Sequence, residues 1–244
     1  MKENKYDNEK FFEQYGKMTR SVYGLKGAGE WHALRSVLPD MKGKTLLDLG
    51  CGYGWHCKYA VEQGAKKVVG IDLSGKMIDK ANEINSDHRI EYHVMAVEDF
   101  DYRNNCFDVV LSSLTFHYIE SFERVCADVH SCLAQGGEFI FSVEHPVFTA
   151  FGTQGWYRNA DGEILHWPVD NYFSEGRRTT NFLGEEVIKY HKTLTTYING
   201  LLNNGFEITN LIEPEPSKEL LETVEGMRDE LRRPMMLIIS ARKK

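Results

Sequence analysis

Short apolar runs alternate with amphipathic stretches along most of the chain, and this alternation predicts an α/β fold. The amphipathic stretches carry apolar residues three or four positions apart, as in 194–202, where one stripe continues over two turns. We predict strands in the runs 44–49, 68–72, 90–94, 107–114, 138–143, 206–212 and 235–241. The predicted helices are 5–23, 27–38, 55–63, 75–84, 121–133, 191–204 and 217–231, with Ser74 as an N-cap. The paired glycines 136–137 are predicted to terminate the helix that starts at 121.

The periodicity is lost between residues 144 and 190, where aromatic residues and glycines are frequent. A chain of 244 residues suits one α/β domain with an elaboration. We predict a single domain, 1–244, with a helical cover at 1–40, a ligand-binding core at 41–143, the insertion at 144–190 and the rest of the sheet at 191–244. So long an irregular insertion is usually functional, and we interpret it as a substrate lid. The alternative is a two- or three-stranded ornament that stabilises the fold or forms a homodimer.

The first strand leads through three alternating glycines, Gly50, Gly52 and Gly54, into a helix. Such glycines permit positive φ and leave room for a ligand to approach the backbone at the helix start. Asp48 lies at the end of the strand, beside that ligand. Asp72 ends the next strand, where its carboxylate can accept hydrogen bonds from both hydroxyls of a ribose. The spacing indicates a nucleotide-like ligand.

The charge of the chain argues against a nucleic-acid partner. It has 29 lysines and arginines against 36 aspartates and glutamates, a net charge of −7, and the basic residues are scattered. Binding of a phosphate backbone relies on clustered positive charge. The first residues include no apolar secretion segment, and the apolar run near 235–239 is too short to span a bilayer. We therefore expect a cytoplasmic protein with no membrane partner.

The cysteines and histidines do not have the spacing of a metal site. The five cysteines form no C-x-x-C pair, and the nine histidines are spread along the chain. We expect reduced, mostly buried thiols and no bound metal.

Several segments resemble the motifs of the class I S-adenosylmethionine-dependent methyltransferases. Leu46–Gly54 is similar to their first motif, Phe107–Leu114 to their fourth, and Leu133-x-x-Gly-Gly-x-Phe-Ile-Phe to their fifth. Other segments are similar to one bacterial branch of the ubiquinone/menaquinone-methyltransferase-like (type 11) proteins: Gly24-Leu25, Glu30-Trp31, Leu38-Pro39, 142–146 and 190–193. The resemblance implies S-adenosylmethionine as methyl donor and a small-molecule acceptor. It also implies a seven-stranded, Rossmann-like, doubly wound sheet of order 3-2-1-4-5-7-6 with an antiparallel last strand.

The resemblance further implies which residues hold the cofactor. In many related enzymes an N-terminal helix covers the cofactor and supplies a tyrosine or a basic residue near its carboxylate; Tyr15 and Arg20 are the candidates. Many relatives bind the adenine amino group with an aspartate at the position of Ala96, a role that Glu98 or the backbone of Val97 could take here. Glu98 is equally explained as an acidic helix start. The predicted cofactor set is Tyr15, Arg20, Asp48, Gly50, Cys51, Gly52, Gly54, Asp72, Leu73, Met77, Val97, Glu98 and Ser112.

The candidates for catalysis follow the ends of the fourth and fifth strands, where the methyl group should point. A sulfonium methyl is already activated, so the protein mainly aligns donor and nucleophile and excludes water. A hydroxyl or acidic-carbon nucleophile would also benefit from a base, and His117, Glu144 and His145 are the catalytic candidates, with His191 a weaker one. Packing of His117 against the next helix and a turn fixed by Pro146 are the structural alternatives.

Two other functional classes are consistent with parts of the pattern. A nicotinamide-dependent oxidoreductase would need glycine at position 55, which is Trp55. A non-catalytic sensor would bind S-adenosylmethionine or S-adenosylhomocysteine and have a filled acceptor pocket.

Overall fold

Seven strands form one sheet, in a computed structural model that describes residues 4–102 and 106–244. The order is β3-β2-β1-β4-β5-β11-β10. Strands β1 to β5 are parallel, whereas β11 pairs antiparallel with both β5 and β10. This confirms the predicted sheet order and the antiparallel last strand. The sheet strands are β1 Thr45–Leu49, β2 Lys67–Asp72, β3 Ile90–Val94, β4 Phe107–Ser113, β5 Leu133–Glu144, β10 Phe206–Ile212 and β11 Met236–Lys243.

Helices cover both faces of the sheet, because its strands alternate apolar side chains between two buried cores. Leu47 and Leu49 lie in the core with α6 and α8, whereas Leu46 lies in the core with α3, α4 and one face of α5. The helices are α1 Glu9–Gly16, α2 Thr19–Tyr23, α3 Trp31–Ser36, α4 Trp55–Glu62, α5 Gly75–Ile84, α6 Phe122–Cys132, α7 Pro146–Thr149, α8 Leu194–Asn203 and α9 Lys218–Thr223.

Polar side chains fix where the helices beside the cavity begin. Ser74 accepts a hydrogen bond from the Met77 amide, which confirms it as the N-cap of α5. Ser121 and Thr193 cap α6 and α8 in the same way. Each cap satisfies an amide that the helix itself leaves unpaired. The helix starts are therefore set by the local sequence.

Three predicted boundaries were wrong. The helix predicted at 5–23 consists of a 3-10 turn, α1 and α2, because the chain is extended at Met18. The helix predicted at 217–231 is broken at Gly226, whose φ is +77°, into α9 and a 3-10 helix, Met227–Arg232. Helix α6 ends at Cys132 rather than at the paired glycines 136–137. Those glycines instead lie in β5, where its register with β4 shifts.

The insertion forms two β-hairpins. Strands β6 Tyr157–Arg158 and β7 Ile164–His166 make one, and β8 Gly176–Phe182 and β9 Glu185–His191 make the other. The Phe182 ring packs against Phe11 of α1, with centroids 5.8 Å apart. The second hairpin therefore meets the N-terminal helix above the carboxyl edge of the sheet. Within the described ranges, none of the helices has the length and apolar character needed to cross a bilayer.

Candidate cofactor and acceptor site

A cavity of about 1070 Å³ lies at the carboxyl ends of the parallel strands. This is where open α/β sheets bind ligands, because loops on either side of the central strands diverge there. The floor is formed by the loops after β1, β2, β3 and β4, and the roof by α1, α2 and the two hairpins. Lining residues of the roof include Tyr6, Tyr15, Trp156, Phe182, Val187 and Tyr190.

The glycine loop after β1 has the predicted left-handed backbone. Gly50, Gly52 and Gly54 have φ values of +76°, +52° and +76°. A Cβ at Gly50 would lie 2.1 Å from Thr115 Oγ1, and one at Gly54 would lie 2.1 Å from the Tyr92 hydroxyl. A Cβ at Gly52, in contrast, would meet no atom within 4 Å. Gly50 and Gly54 are thus needed for packing, whereas Gly52 leaves open space on the cavity side.

Asp72 connects the end of β2 to the glycine loop. Its Oδ2 accepts a hydrogen bond from the Gly52 amide at 2.9 Å, and its Oδ1 accepts one from the Ser74 amide at 2.9 Å. Burial raises the pKa of Asp72 to about 6, although these two amide hydrogen bonds act in the opposite direction. The carboxylate lines the cavity and is ionised at neutral pH. Its remaining lone pairs can accept hydrogen bonds from ribose hydroxyls.

Asp48 does not reach the cavity. It is fully buried, and its Oδ2 accepts a hydrogen bond from the Cys57 thiol of α4 at 3.3 Å. Its Oδ1 has no hydrogen-bond partner among the described residues. Burial raises the pKa of Asp48 to about 7, with a smaller contribution from the charge of Asp72. Asp48 therefore links β1 to α4 across the buried side of the glycine loop.

The other predicted cofactor residues divide between cavity wall and interior. Cys51 lines a small side pocket of about 60 Å³, and the Ser112 hydroxyl donates to the Leu49 carbonyl at 2.7 Å, linking the ends of β4 and β1. With Asp48 and Gly54, these two residues lie outside the lining of the main cavity. The members that line it are Tyr15, Arg20, Gly50, Gly52, Asp72, Leu73, Met77, Val97 and Glu98. Their roles in binding stay predictions.

A buried ion pair stands beside the glycine loop on the β4 side. Arg20 of α2 donates to Oε1 of Glu30, which also accepts a hydrogen bond from the Ser113 hydroxyl at 3.3 Å. Burial raises the pKa of Glu30, but the Arg20 charge, the Glu30 backbone amide and the hydrogen bond from Arg20 together hold that pKa below its ordinary value. Tyr15 lines the same end of the cavity. This end therefore presents one cation and one anion to a ligand.

His117 and Glu144 lie together at the other side of the cavity. The Glu144 amide donates to Nδ1 of His117 at 3.4 Å. Burial lowers the pKa of His117 to about 3, so the imidazole is neutral. Glu144 Oε1 is 2.6 Å from Lys189 Nζ, and Glu144 Oε2 accepts a hydrogen bond from Gln154 at 2.7 Å. Lys189 also donates to Gln154 Oε1 at 2.9 Å, which closes the network.

The two remaining histidine candidates face away from the cavity. His145 Nδ1 accepts a hydrogen bond from the Val147 amide and caps α7, and its Nε2 is 2.9 Å from Glu213 Oε1. The His191 ring lies between the Thr149 hydroxyl and the Tyr172 carbonyl, at 2.7 and 2.8 Å. Both rings are buried in contacts that hold the insertion to the sheet. A catalytic part for either stays a prediction.

Sequence reasoning assigned no role to four residues at the site. Glu30 was part of a resembling segment, but nothing in its neighbourhood predicts its contact with Arg20. Lys189 is only 2% exposed, and its place in a strand gives no signal for burial of the charge. The hydroxyls of Tyr6 and Tyr118 meet at 3.2 Å in the cavity wall. The aromatic character of 5–18 is the one signal that could have identified Tyr6.

Comparison with known proteins agrees with this geometry. Residues 47–141 match the methyltransferase domain family. The chain is 56% identical to a Listeria monocytogenes protein assigned to the S-adenosylmethionine-dependent methyltransferases, with a TM-score of 0.86 over 91% of this chain and 99% of that one. An S-adenosylmethionine-dependent methyltransferase from Mesorhizobium loti is 40% identical, with a TM-score of 0.82 over 90% and 100%. An uncharacterised Haemophilus influenzae protein is 35% identical over 98% of this chain and 96% of its own length.

The chain belongs to the class I S-adenosylmethionine-dependent methyltransferases, and it is related to the type 11 proteins of that class. It is therefore a transferase that uses S-adenosylmethionine as methyl donor. The residues present fit this cofactor: the open space at Gly52 leaves room for it beside the backbone, and Asp72 offers an ionised acceptor where the ribose is predicted to bind. The oxidoreductase and sensor alternatives are set aside.

Proposed function

We propose that the enzyme methylates a small apolar or planar acceptor that binds between the hairpins and residues 214–236. The observation that carries this proposal is the continuity of the cavity. It extends from the glycine loop to a chamber roofed by the insertion, and the chamber wall is mainly apolar or aromatic. Its apolar and aromatic members are Trp156, Ile164, Phe182, Val187, Ile188, Tyr190, Pro214, Leu220, Val224, Met227, Met235 and Met236, and its charged members are Arg158, Glu215, Glu225, Asp229 and Glu230.

The size of the cavity supports two ligands. Pockets for a single small molecule usually measure roughly 300–1,000 Å³. At about 1070 Å³ this cavity exceeds that range, so it has room for the cofactor and an acceptor together. Ligands enclosed under a roof are separated from water, which favours transfer of the methyl group to the acceptor over its loss to solvent.

The cofactor supplies an electrophilic methyl group, and the residues of this chain align the acceptor with it. Because Nδ1 of His117 accepts the Glu144 amide, the neutral ring carries its hydrogen on Nε2. We infer that His117 donates from Nε2 to a lone pair on the acceptor and orients it. A base would need a free nitrogen facing the acceptor, and this tautomer does not offer one.

The ion-paired Glu144 completes the wall near His117. Burial raises the pKa of Glu144, but the Lys189 ammonium and the hydrogen bonds from Lys189 and Gln154 hold it below its ordinary value. The carboxylate is thus ionised and already bound by Lys189 and Gln154. In this state Glu144 fixes the end of β5 and the position of His117 through its own backbone amide.

Relatives that match only part of the chain leave the acceptor open. A tRNA U34 carboxymethyltransferase from Methylococcus capsulatus is 30% identical over 46% of this chain, and a sarcosine/dimethylglycine N-methyltransferase from Halorhodospira halochloris is 35% identical over 44%. We favour a small molecule because the cavity is roofed and the chain is acidic. A cytoplasmic location and a homodimer stay predictions from the sequence.

The experiment is transfer of labelled methyl from S-adenosylmethionine to two matched pools, a low-molecular-weight bacterial extract and desalted total tRNA. The proposal expects label in the extract only, in a product that partitions into organic solvent. Label confined to tRNA would contradict it. A variant with Trp156→Ala, which enlarges only the chamber, should change the products formed from the extract and leave binding of S-adenosylhomocysteine unaltered.

The role of His117 is tested once an acceptor is known. We expect kcat to be independent of pH from about 6 to 9, because a donor with a pKa near 3 does not titrate there. His117→Asn retains an N–H and should keep more activity than His117→Ala. A kcat that falls at acid pH through a single ionisation would instead identify a general base, provided that this pH dependence is absent in His117→Asn.

The insertion and the N-terminal helices are proposed to close over the bound cofactor. Hydrogen exchange with and without S-adenosylhomocysteine should show added protection at residues 5–20 and in the β8–β9 hairpin. Equal exchange in both states would favour a static ornament.

A further inference from the structure

Glu30 has one carboxylate oxygen that is satisfied and one that is not. The residue is 2% exposed and lines the cavity. Oε1 accepts hydrogen bonds from Arg20 and from Ser113, whereas Oε2 is buried and has no hydrogen-bond partner among the described residues. A buried charged oxygen without a donor is costly, and such groups in native proteins usually have a functional explanation.

The sheet order determines which end of the cofactor meets Glu30. Asp72 ends β2, on one side of the β1 glycine loop, and Ser113 ends β4, on the other side. A cofactor whose ribose binds Asp72 lies across the glycine loop. Its amino-acid end then points toward β4, where Arg20 and Glu30 flank Ser113.

Two other acceptors, one beside the glycine loop and one at the opposite side of the cavity, are already occupied. The Leu49 carbonyl already accepts a hydrogen bond from Ser112, and the Glu144 carboxylate is bound by Lys189 and Gln154. Asp48 is buried away from the cavity. Glu30 Oε2 is a charged acceptor on the cavity wall that still has capacity.

We propose that Glu30 Oε2 accepts a hydrogen bond from the α-ammonium of S-adenosylmethionine, while Arg20 donates to the neighbouring α-carboxylate. The negative charge of Glu30 then faces the α-ammonium, and the positive charge of Arg20 faces the α-carboxylate. Arg20 fixes the Glu30 carboxylate through Oε1, so little ordering is needed when the ligand binds. The inference concerns the cofactor end alone and does not depend on the identity of the acceptor.

Ligand analogues test the inference on the unaltered protein. Calorimetry would compare S-adenosylhomocysteine, its analogue without the α-amino group, and 5′-methylthioadenosine, which lacks the amino-acid group altogether. Loss of the amino group should weaken binding by about 10- to 100-fold, the range for a charge-assisted hydrogen bond. Equal affinities for S-adenosylhomocysteine and the deamino analogue would overturn the proposal without any variant.

The variant Glu30→Gln then separates ligand recognition from support of the fold. In this variant the affinities for S-adenosylhomocysteine and for its deamino analogue should differ by less than about threefold. The affinity for 5′-methylthioadenosine should be the same as in the unaltered protein. If Glu30→Gln weakens S-adenosylhomocysteine and its deamino analogue by the same factor, Glu30 only holds Arg20 in place, and the proposal fails. Thermal unfolding of the variant shows whether its native state is retained.

Discussion

The cavity has a part at the glycine loop, the predicted cofactor half, and a chamber under the insertion, the proposed acceptor half, and the two are built in different ways. In the cofactor half, most of the wall follows strands directly: the glycines follow β1, Asp72 ends β2 and Ser113 ends β4, whereas Arg20 and Glu30 come from the N-terminal segment. In the acceptor half, the wall comes from two hairpins and from residues 214–236, which are distant in sequence. The first half depends on local backbone geometry, and the second depends on a few buried polar contacts between segments.

The largest expected effect is a loss of folding stability that comes from the acceptor half. Lys189→Met would leave the Glu144 carboxylate buried without its cation, which typically costs about 3–5 kcal/mol. Urea unfolding should show this loss, while S-adenosylhomocysteine affinity of the folded protein changes little. The double variant Lys189→Met, Glu144→Gln should recover much of the loss. Equal stability of the single and double variants would show that the ion pair is not responsible.

The next effect belongs to the cofactor half. Asp72→Ala removes the acceptor of the ribose hydroxyls and the anchor of the Gly52 amide, so S-adenosylhomocysteine binding should weaken by about 2–4 kcal/mol. Calorimetry measures this directly. Asp72→Asn keeps the shape but not the charge, and should lose less. Unchanged affinity in Asp72→Ala would remove the residue from the cofactor site.

A pair of glycine variants sharpens the comparison within the loop. Gly50→Ala places a methyl group 2.1 Å from Thr115 Oγ1 and should destabilise the protein by about 1–3 kcal/mol. Gly52→Ala carries a similar backbone cost but meets open space, so it should remain more stable while losing more affinity for S-adenosylhomocysteine. Thermal unfolding of both variants compares their stabilities, and calorimetry compares their affinities for S-adenosylhomocysteine. Matching behaviour of the two would contradict this prediction.

The smallest effect is a dependence on pH. Affinity for S-adenosylhomocysteine should fall at acid pH, whereas the contribution of Asp72 to folding stability should fall as the pH rises. The pKa of Asp72 is about 6, so acid below that value protonates the ribose acceptor, and affinity should fall by up to about tenfold per pH unit. The folded-state pKa is raised above the ordinary value of 3.8, so the contribution of this group to stability is present at low pH and is lost as pH rises through 6.

Asp72→Asn is the control for that dependence. Its affinity for S-adenosylhomocysteine should be flat between pH 5 and about 7, and its stability should gain relative to the unaltered protein as pH rises. Asp48, whose pKa is about 7, adds a stability change of the same sign and stays in both proteins. An unaltered pH profile of binding in Asp72→Asn would assign the titration to another group.

The sequence predicted the backbone geometry of the cofactor half, because its signals are local. The three positive φ values, the acid at the end of β2 and the cap at Ser74 all depend on residues within one strand-loop-helix unit. Asp48 shows the limit of this reasoning: its place at the end of the strand predicted a carboxylate beside the ligand, but in the packed structure it is buried and accepts a hydrogen bond from Cys57.

The acceptor half was predicted only as an aromatic insertion. Lys189 meets Glu144 across 45 positions of sequence, and in the cofactor half Glu30 likewise meets Ser113 across 83. Such contacts arise from the relative placement of hairpins and helices, for which no periodicity gives a signal. His117 was identified by its place after β4, but its tautomer depends on the Glu144 amide, which the sequence does not reveal.

The antiparallel strand β11 has a consequence for synthesis of the chain. It pairs with β5 along seven residue pairs, yet about 90 residues separate the two strands. At ribosomal rates of roughly 5–20 residues per second, the edge of β5 waits for several seconds before its partner exists. During that interval the nascent chain exposes an apolar strand edge of the kind that favours aggregation. Efficient synthesis of this enzyme should therefore depend on a chaperone that covers the edge of β5 until β11 has been made.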